Sequence, residues 1–423
     1  MKKIKTLSIA LALAFTLLSC KEKTAQPARK EFLPALDRAT KTTIEIAGYL
    51  ANFEALDQAI IRFNEFYPDV QFIYSSNSNY NLAKYIETNP GLDIFMVEHK
   101  NLKYENNEVF YAKDYCLDLK DFDTSCIIPE ALADSYVDGR LLSIPVAMNP
   151  VGIVVNKTLL QKEGLSVPLN HKEFFDSLET LKQKGYIPVQ GSQRHIYAEL
   201  VYNKGMSLLS DAAKLKDLLS GKDKDGSIVL SAFEDLETVI NKGYTDYELN
   251  CTFPGTNYDG SILAFLEGRM PYFVCTTEVT SGIKKRETKS KVFPSAPFEY
   301  DFYYAPMGTK GAYVLNRPWN SFSVNKNSEH KELAIEFLRF LATSGELDKM
   351  AVTKGMPSVL KNGTYTRFSG IVNPKNVEKV VASAAPIPTS VKEAFFITCN
   401  DFGAGKYKTA KEAAAAFVQQ CVQ

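Results

Sequence analysis

One tryptophan, four scattered histidines and no C-x-x-C pair occur in a chain of 423 residues. Each scarcity removes a class of chemistry. His99, His171, His195 and His330 never fall at ligand spacing with cysteine, so no zinc or other metal site is expected. No G-x-S-x-G, phosphate-loop or dinucleotide fingerprint is present, and no cofactor is expected. Gly255–Ser261 has phosphate-loop glycine spacing, but Ser261 stands where lysine is required. Gly221–Ala232 carries the aspartates of a calcium loop, with Gly221 and Ala232 where its terminal carboxylates belong. No basic tract interleaves with aromatics, so nucleic acid is not an expected partner. An excess of one charge is missing too, since 49 basic residues balance 49 acidic ones. No apolar run reaches the roughly 20 residues needed to span a bilayer.

The N-terminus nevertheless points to a membrane. Lys2, Lys3 and Lys5 precede an apolar stretch from Leu7 to Leu18, too short to span and suited to a secretory signal. It closes on Leu17-Leu18-Ser19-Cys20 and turns at once into charge. This resembles the lipobox of bacterial lipoproteins, in which the cysteine thiol takes a diacylglycerol and becomes the new N-terminus. Thiolate is a strong nucleophile near neutral pH. Residues 1–19 are therefore expected to be a signal peptide and Cys20 a lipid anchor on the extracytoplasmic face of the cell membrane. Residues 1–19 hold three lysines and no acid, leaving 46 basic and 49 acidic residues, a net of −3. Residues 20–41 are polar and aperiodic, the pattern of a flexible tether. Six cysteines remain, and Cys116 with Cys126 is the only close pair. Export permits a disulfide there; buried or free thiols fit equally well.

Beyond the tether the pattern becomes that of a folded body. Thr42–Gly48 alternates like a strand. Leu56, Ile60, Phe63 and Phe66 then recur at helical spacing, up to a stop at Pro68. Val70–Ser76 reads as a second strand, Asn79–Thr88 as a helix, and Leu92–Glu98 as a buried strand. Strand alternating with helix is an α/β opening. Two strands meet at Asn149-Pro150, and the proline favours a crossing over a continuous central strand. Thr158–Gly268 reads as mostly helical with a short strand near Tyr186–Gly191. Later strands fall at Arg269–Thr277 and Tyr300–Gly308, after which Asn320–Lys326 leads onward. An amphipathic helix follows, with Leu333, Phe337, Leu338 and Leu341 inward, and the C-terminus is helical.

Several of these segments together resemble the extracellular solute-binding proteins of ABC importers, family 1. "ALDQAIIRFNEFYPDVQF" is similar to the family's opening helix and second strand. "DGRLLSIPVAMNPVGIVVNKTLLQKEGL" is similar to its central signature, with Val155 in place of the usual tyrosine before Asn156. "AFLEGRMPYFVCTT" resembles its helix–strand step, and "NSFSVNKNSEHKELAIEFLRFLAT" its later helix. The resemblance implies a two-lobe, periplasmic-binding-protein-like α/β fold, with hinge strands and a ligand cleft between lobes. Lobe 1 is expected over 42–147 with 306–352, and lobe 2 over 148–305 with 353–423. It also implies a monomeric, non-enzymatic receptor that carries a small solute, chiefly a carbohydrate, to permease subunits. An exported carbohydrate enzyme, a receptor for a cationic solute and a ligand sensor are the rival readings.

Ligands of open α/β sheets bind beyond the carboxyl ends of strands. Tyr49 and Asn52 follow the first strand, Asn77 and Asn79 the second, and Glu98 the third. Asn77 and Asn79 are equally good turn residues, whereas Glu98 is suited to accepting hydroxyl hydrogen bonds. Asn149 is placed at the crossing. Gln193 opens a helix beside Arg194. On the resemblance, Glu278 and Trp319 fall where relatives carry cleft aromatics, and Arg317 and Asn320 flank the tryptophan. A lone tryptophan is commonly core, and the ring is expected to lie partly wet. Asn149, Glu278, Arg317 and Trp319 are thus ligand candidates with Tyr49, Asn52, Asn77, Asn79, Glu98 and Gln193.

Overall fold

A computed structural model describes residues 31–48, 50, 53–76, 82–97, 114–191, 195–252, 258–315, 318–364, 367–372, 374–381 and 387–422. Two sheets organise them. The first contains β1 (Thr42–Gly48), β2 (Val70–Ser76), β3 (Ile94–Val97), β6 (Ile144–Pro145) and β12 (Ser321–Val324), in the order β2-β1-β3-β12-β6. β1 is parallel to β2 and β3, whereas β12 runs antiparallel to β3 and β6. All four residues of β3 are buried, as an apolar central strand requires. Between β3 and β6 lies a hairpin of β4 (Tyr136–Val137) and β5 (Arg140–Leu141). Asp138 and Gly139 turn it with φ of 53° and 78°, the left-handed pair that an Asp-Gly turn supplies.

The second sheet has the order β10-β7-β9-β8, from β7 (Val151–Asn156), β8 (Val189–Gly191), β9 (Tyr272–Thr276) and β10 (Tyr300–Tyr303). β7 is antiparallel to both neighbours. Asn156 ends β7 and caps the next helix, its Oδ1 accepting the Leu159 N–H at 2.9 Å. Helices Ile196–Leu209, Leu230–Asn241, Thr389–Gly403 and Ala410–Val422 pack together through Phe233, Phe395, Phe402 and Phe417. A short parallel pair, β11 (Ala312–Leu315) with β13 (Val377–Val381), completes the strands.

Two large cores result. One gathers Phe63, Met96, Phe322, Phe337 and Leu341 around the first sheet, and the other Ile153, Phe174, Tyr272 and Phe395 around the second. Met148 belongs to the first core and Ile153 to the second, Leu315 to the second and Trp319 to the first. After Leu360 in the first, Phe368 joins a smaller cluster with Val154, Phe273 and Phe302 of the second sheet. Two stretches pack differently from the expected division. Met307 and Leu315 join the second core, because β11 pairs with β13 rather than with the first sheet. Met356, Val359 and Leu360 join the first, where the Ile128 N–H donates to Val359 O at 2.9 Å.

The helix expected to run to Pro68 ends at Phe63. Asn64 is its C-cap, with its N–H still on Ile60 O at 2.9 Å and its Nδ2 donating to Val70 O at 3.1 Å. The tether expected over 20–41 is docked from Phe32 onward. Phe32 is 4% exposed, edge-on to Phe66 and Phe340 at 5.1 Å each, under the Arg339 guanidinium at 4.5 Å. Its apolar ring has a seat on the body, so this part of the segment does not swing free. Cys116, Cys126, Cys251, Cys275, Cys399 and Cys421 are all free thiols, and no Cys116–Cys126 disulfide forms. Burial pushes the Cys116 thiol up to about 12.

Candidate functional site

The crossing predicted at Asn149-Pro150 is one rung of a hinge built from three stretches. The Trp319 N–H donates to Ala147 O at 2.8 Å, and the Val146 N–H to Asn320 O at 2.8 Å. From the third stretch, Pro357 O accepts the Met148 N–H at 2.9 Å. On the far side the Thr277 N–H donates to Pro150 O at 3.1 Å, and Asn203 Nδ2 to Val151 O at 3.2 Å. These bonds fix where the two cores face each other.

Asn149, 6% exposed, sits at the centre. Its Oδ1 accepts the Glu278 N–H at 3.0 Å and the Thr277 hydroxyl at 3.1 Å, while Nδ2 lies 3.4 Å from Glu278 Oε2. Glu278 stands in the first turn of helix Thr277–Arg286, and Lys284, Lys285 and Arg286 occupy the last turn. Both ends complement the helix dipole. From the other side of the hinge, Lys354 places its ammonium 5.6 Å from the Phe53 ring centre and 5.8 Å from that of Trp319. Burial lowers the Lys354 pKa, Lys285 lowers it further, and Glu278 pulls it back. Glu278 and Trp319 thus belong to one electrostatic neighbourhood, joined through Lys354.

Trp319 is 9% exposed and packed in the first core, edge-on to Phe53 at 6.2 Å. The ring expected to lie partly wet is enclosed, because Phe53 and the Lys354 side chain cover it. Tyr49, Asn52, Asn77, Asn79, Glu98, Gln193, Arg317 and Cys20 lie outside the described residues.

Sequence reasoning missed Lys354, Phe53, Asn203 and Glu199. Lys354 reads as an ordinary helix end before Gly355, whose φ of 68° makes the turn. Phe53 reads as a residue preceding a helix. Glu199 and Asn203 carried a usable signal: they are polar, four apart and therefore on one helix face, in an otherwise apolar run. Both are buried, and Tyr258 lies within hydrogen-bond reach of Glu199 at 3.4 Å. Among the described residues no three His, Cys, Asp or Glu side chains gather as metal ligands.

The model of the bacterial extracellular solute-binding proteins matches residues 59–364. The chain belongs to this family. Such proteins bind solutes outside the cytoplasm, so this solute-binding protein is a receptor and not an enzyme. No curated protein matches it in sequence. Solved structures agree on the fold. A sugar transporter protein of Bacillus licheniformis in complex with stachyose is 19% identical, with a TM-score of 0.64 over 90% of this chain and 100% of that one. A binding protein of an ABC transporter from Bifidobacterium animalis subsp. lactis, in complex with mannobiose, is 17% identical, with a TM-score of 0.65 over 90% and 94%. A protein connected with xylan utilization in Caldanaerobius polysaccharolyticus is 18% identical, with a TM-score of 0.67 over 89% and 99%. The two-lobe α/β architecture is that of periplasmic-binding-protein-like sugar-binding proteins. Among the described residues no helix is long and apolar enough to cross a membrane.

Proposed function

We propose that this solute-binding protein captures a mono- or oligosaccharide between its two lobes and delivers it to the permease subunits of an ABC importer. The observation that carries the reading is the polar cluster of Asn149, Glu278 and Lys354 at the hinge, where two independent cores meet. Relatives of the same fold hold stachyose and mannobiose, which supports sugar as the cargo class. In this reading the first lobe comprises the chain up to Met148 together with 318–364, and the second comprises the rest. Hinge motion closes them over the ligand. Asn149, Glu278 and Trp319 act with Tyr49, Asn52, Asn77, Asn79, Glu98, Gln193 and Arg317. A diacylglycerol on Cys20 holds the monomer at the extracytoplasmic face, since each buried lipid CH₂ contributes about 0.8 kcal/mol.

Purified protein is incubated with neutral and acidic oligosaccharides and with polyamines, followed by thermal unfolding and product analysis. Saturation at about 100 times Kd raises stability by about 2.7 kcal/mol. A sugar that raises the melting temperature and is recovered intact supports the proposal; a shift with polyamines alone refutes it. Mass spectrometry of the protein from membranes tests the anchor, and an unmodified N-terminus other than Cys20 counts against it.

A further inference from the structure

One lysine narrows the cargo, on the reading that the hinge cleft is the solute site. Lys354 follows helix Glu346–Thr353 and stands one residue before the left-handed turn at Gly355. That turn carries the chain into the hinge, where Pro357 O accepts the Met148 N–H. The Lys354 backbone is therefore held beside the crossing on both sides. Its immediate company is aromatic, with the Phe53 and Trp319 rings at 5.6 and 5.8 Å. Aromatic faces attract a cation without neutralising it. Nearby Lys349 pairs with Glu346 at 2.7 Å, whereas Lys354 enters no ion pair among the described residues. The charges that act on it are Lys285 and Glu278, both on helix Thr277–Arg286 across the hinge. The Glu278 carboxylate has Asn149 Nδ2 within reach at 3.4 Å.

A partly desolvated ammonium resting on apolar faces gains strongly when an anion arrives. Bonds between charged partners are about twice as strong as neutral ones. We propose that Lys354 receives a carboxylate of the solute, so that the cargo is an acidic oligosaccharide containing a uronic acid. Burial and Lys285 both disfavour the ammonium in the unliganded protein, and a bound carboxylate relieves that cost. Phe53 and Trp319 hold the lysine stem in place and keep competing water away from the pair.

The test uses the mature chain and matched sugar pairs in calorimetric titrations at low and high salt. Glucuronic-acid-substituted xylo-oligosaccharides are compared with plain ones, and oligogalacturonates with neutral galacto-oligosaccharides. The acidic member is expected to bind about tenfold tighter or better, the scale of one hydrogen bond to a charged group. Salt should shrink the advantage. Lys354→Met should abolish the ratio between acidic and neutral affinities, whatever the neutral sugar's own affinity becomes, and Lys354→Arg should keep it. Melting curves confirm that both variants are folded. Neutral sugars bound as tightly as acidic ones, or a preference that survives in Lys354→Met, overturn the inference and leave the sugar-receptor reading standing. Failure of every sugar, acidic and neutral, overturns both.

Discussion

The Oδ1 atom of Asn149 accepts the backbone N–H of Glu278 at 3.0 Å, so a hinge residue caps a helix of the second lobe. A helix N-terminus leaves N–H groups without intrahelical partners, and here a distant segment supplies one acceptor. The same oxygen accepts the Thr277 hydroxyl, which makes Asn149 a clamp on the first turn rather than a passive linker.

Asn149→Ala should therefore lower folding stability by about 1–2 kcal/mol, the scale of a lost cap. Sugar affinity should fall as well, because the first turn that presents Glu278 loosens. Urea midpoints and titrations on the variant read both effects. An unchanged midpoint would show that the Thr277 and Glu278 donors find another acceptor at no cost, against the clamp.

Trp319 offers a probe as well as a mutation, being the only tryptophan. Its emission should be that of a buried indole and should change when sugar is added, because Lys354 lies over its ring. Trp319→Ala should cost about 3–5 kcal/mol of folding stability, since the ring is enclosed in the first core. If the ring also meets the ligand, affinity falls on the order of 2–4 kcal/mol beyond that. A folded variant that binds sugar as the wild type does would end a ligand role for Trp319.

Local pattern made much of the fold legible. Thr42–Gly48 and Val70–Ser76 alternate between turn residues, and the structure has strands with those bounds. The inward face read from Leu333, Phe337, Leu338 and Leu341 is buried as the spacing implies. Pro150 at the crossing was legible because proline cannot donate to a ladder. By contrast, β11 and β13 have four and five residues and depend on each other, so neither announces itself in sequence. Helix Thr389–Gly403, buried through Val391, Phe395 and Cys399, likewise gave no amphipathic stripe strong enough to read. Asn149 and Glu278 became candidates through the family resemblance, and Lys354 did not. Its role arises only when Phe53, Trp319 and the turn at Gly355 converge from three distant segments. Nothing in the sequence marked Phe32 as docked either, because one aromatic in a polar stretch has no period.

That docking gives the last prediction, which is one of pH. Glu336, on helix Lys331–Thr343, accepts the Ala35 N–H at 2.8 Å, the Tyr67 hydroxyl at 2.6 Å and Arg339 Nε at 2.8 Å. Burial alone would raise its pKa, but Arg339, Tyr67 and the Ala35 N–H outweigh burial and hold it below the ordinary 4.5. A carboxyl whose folded pKa lies below its unfolded value contributes stability at higher pH. That contribution begins to fade as pH drops past 4.5 and is gone below the lowered value. Glu336→Gln should thus destabilise the protein at neutral pH by about 1–3 kcal/mol, because Arg339 and Tyr67 lose a charged acceptor. The gap between wild-type and mutant urea midpoints should narrow steadily as pH falls through that window. Phe32→Ala should expose Arg38 to faster tryptic cleavage at neutral pH, and its effect should couple to that of Glu336→Gln, since Arg339 touches both Phe32 and Glu336. A midpoint gap that stays constant from neutral to acid would mean that the Glu336 charge does not help fasten the N-terminal segment.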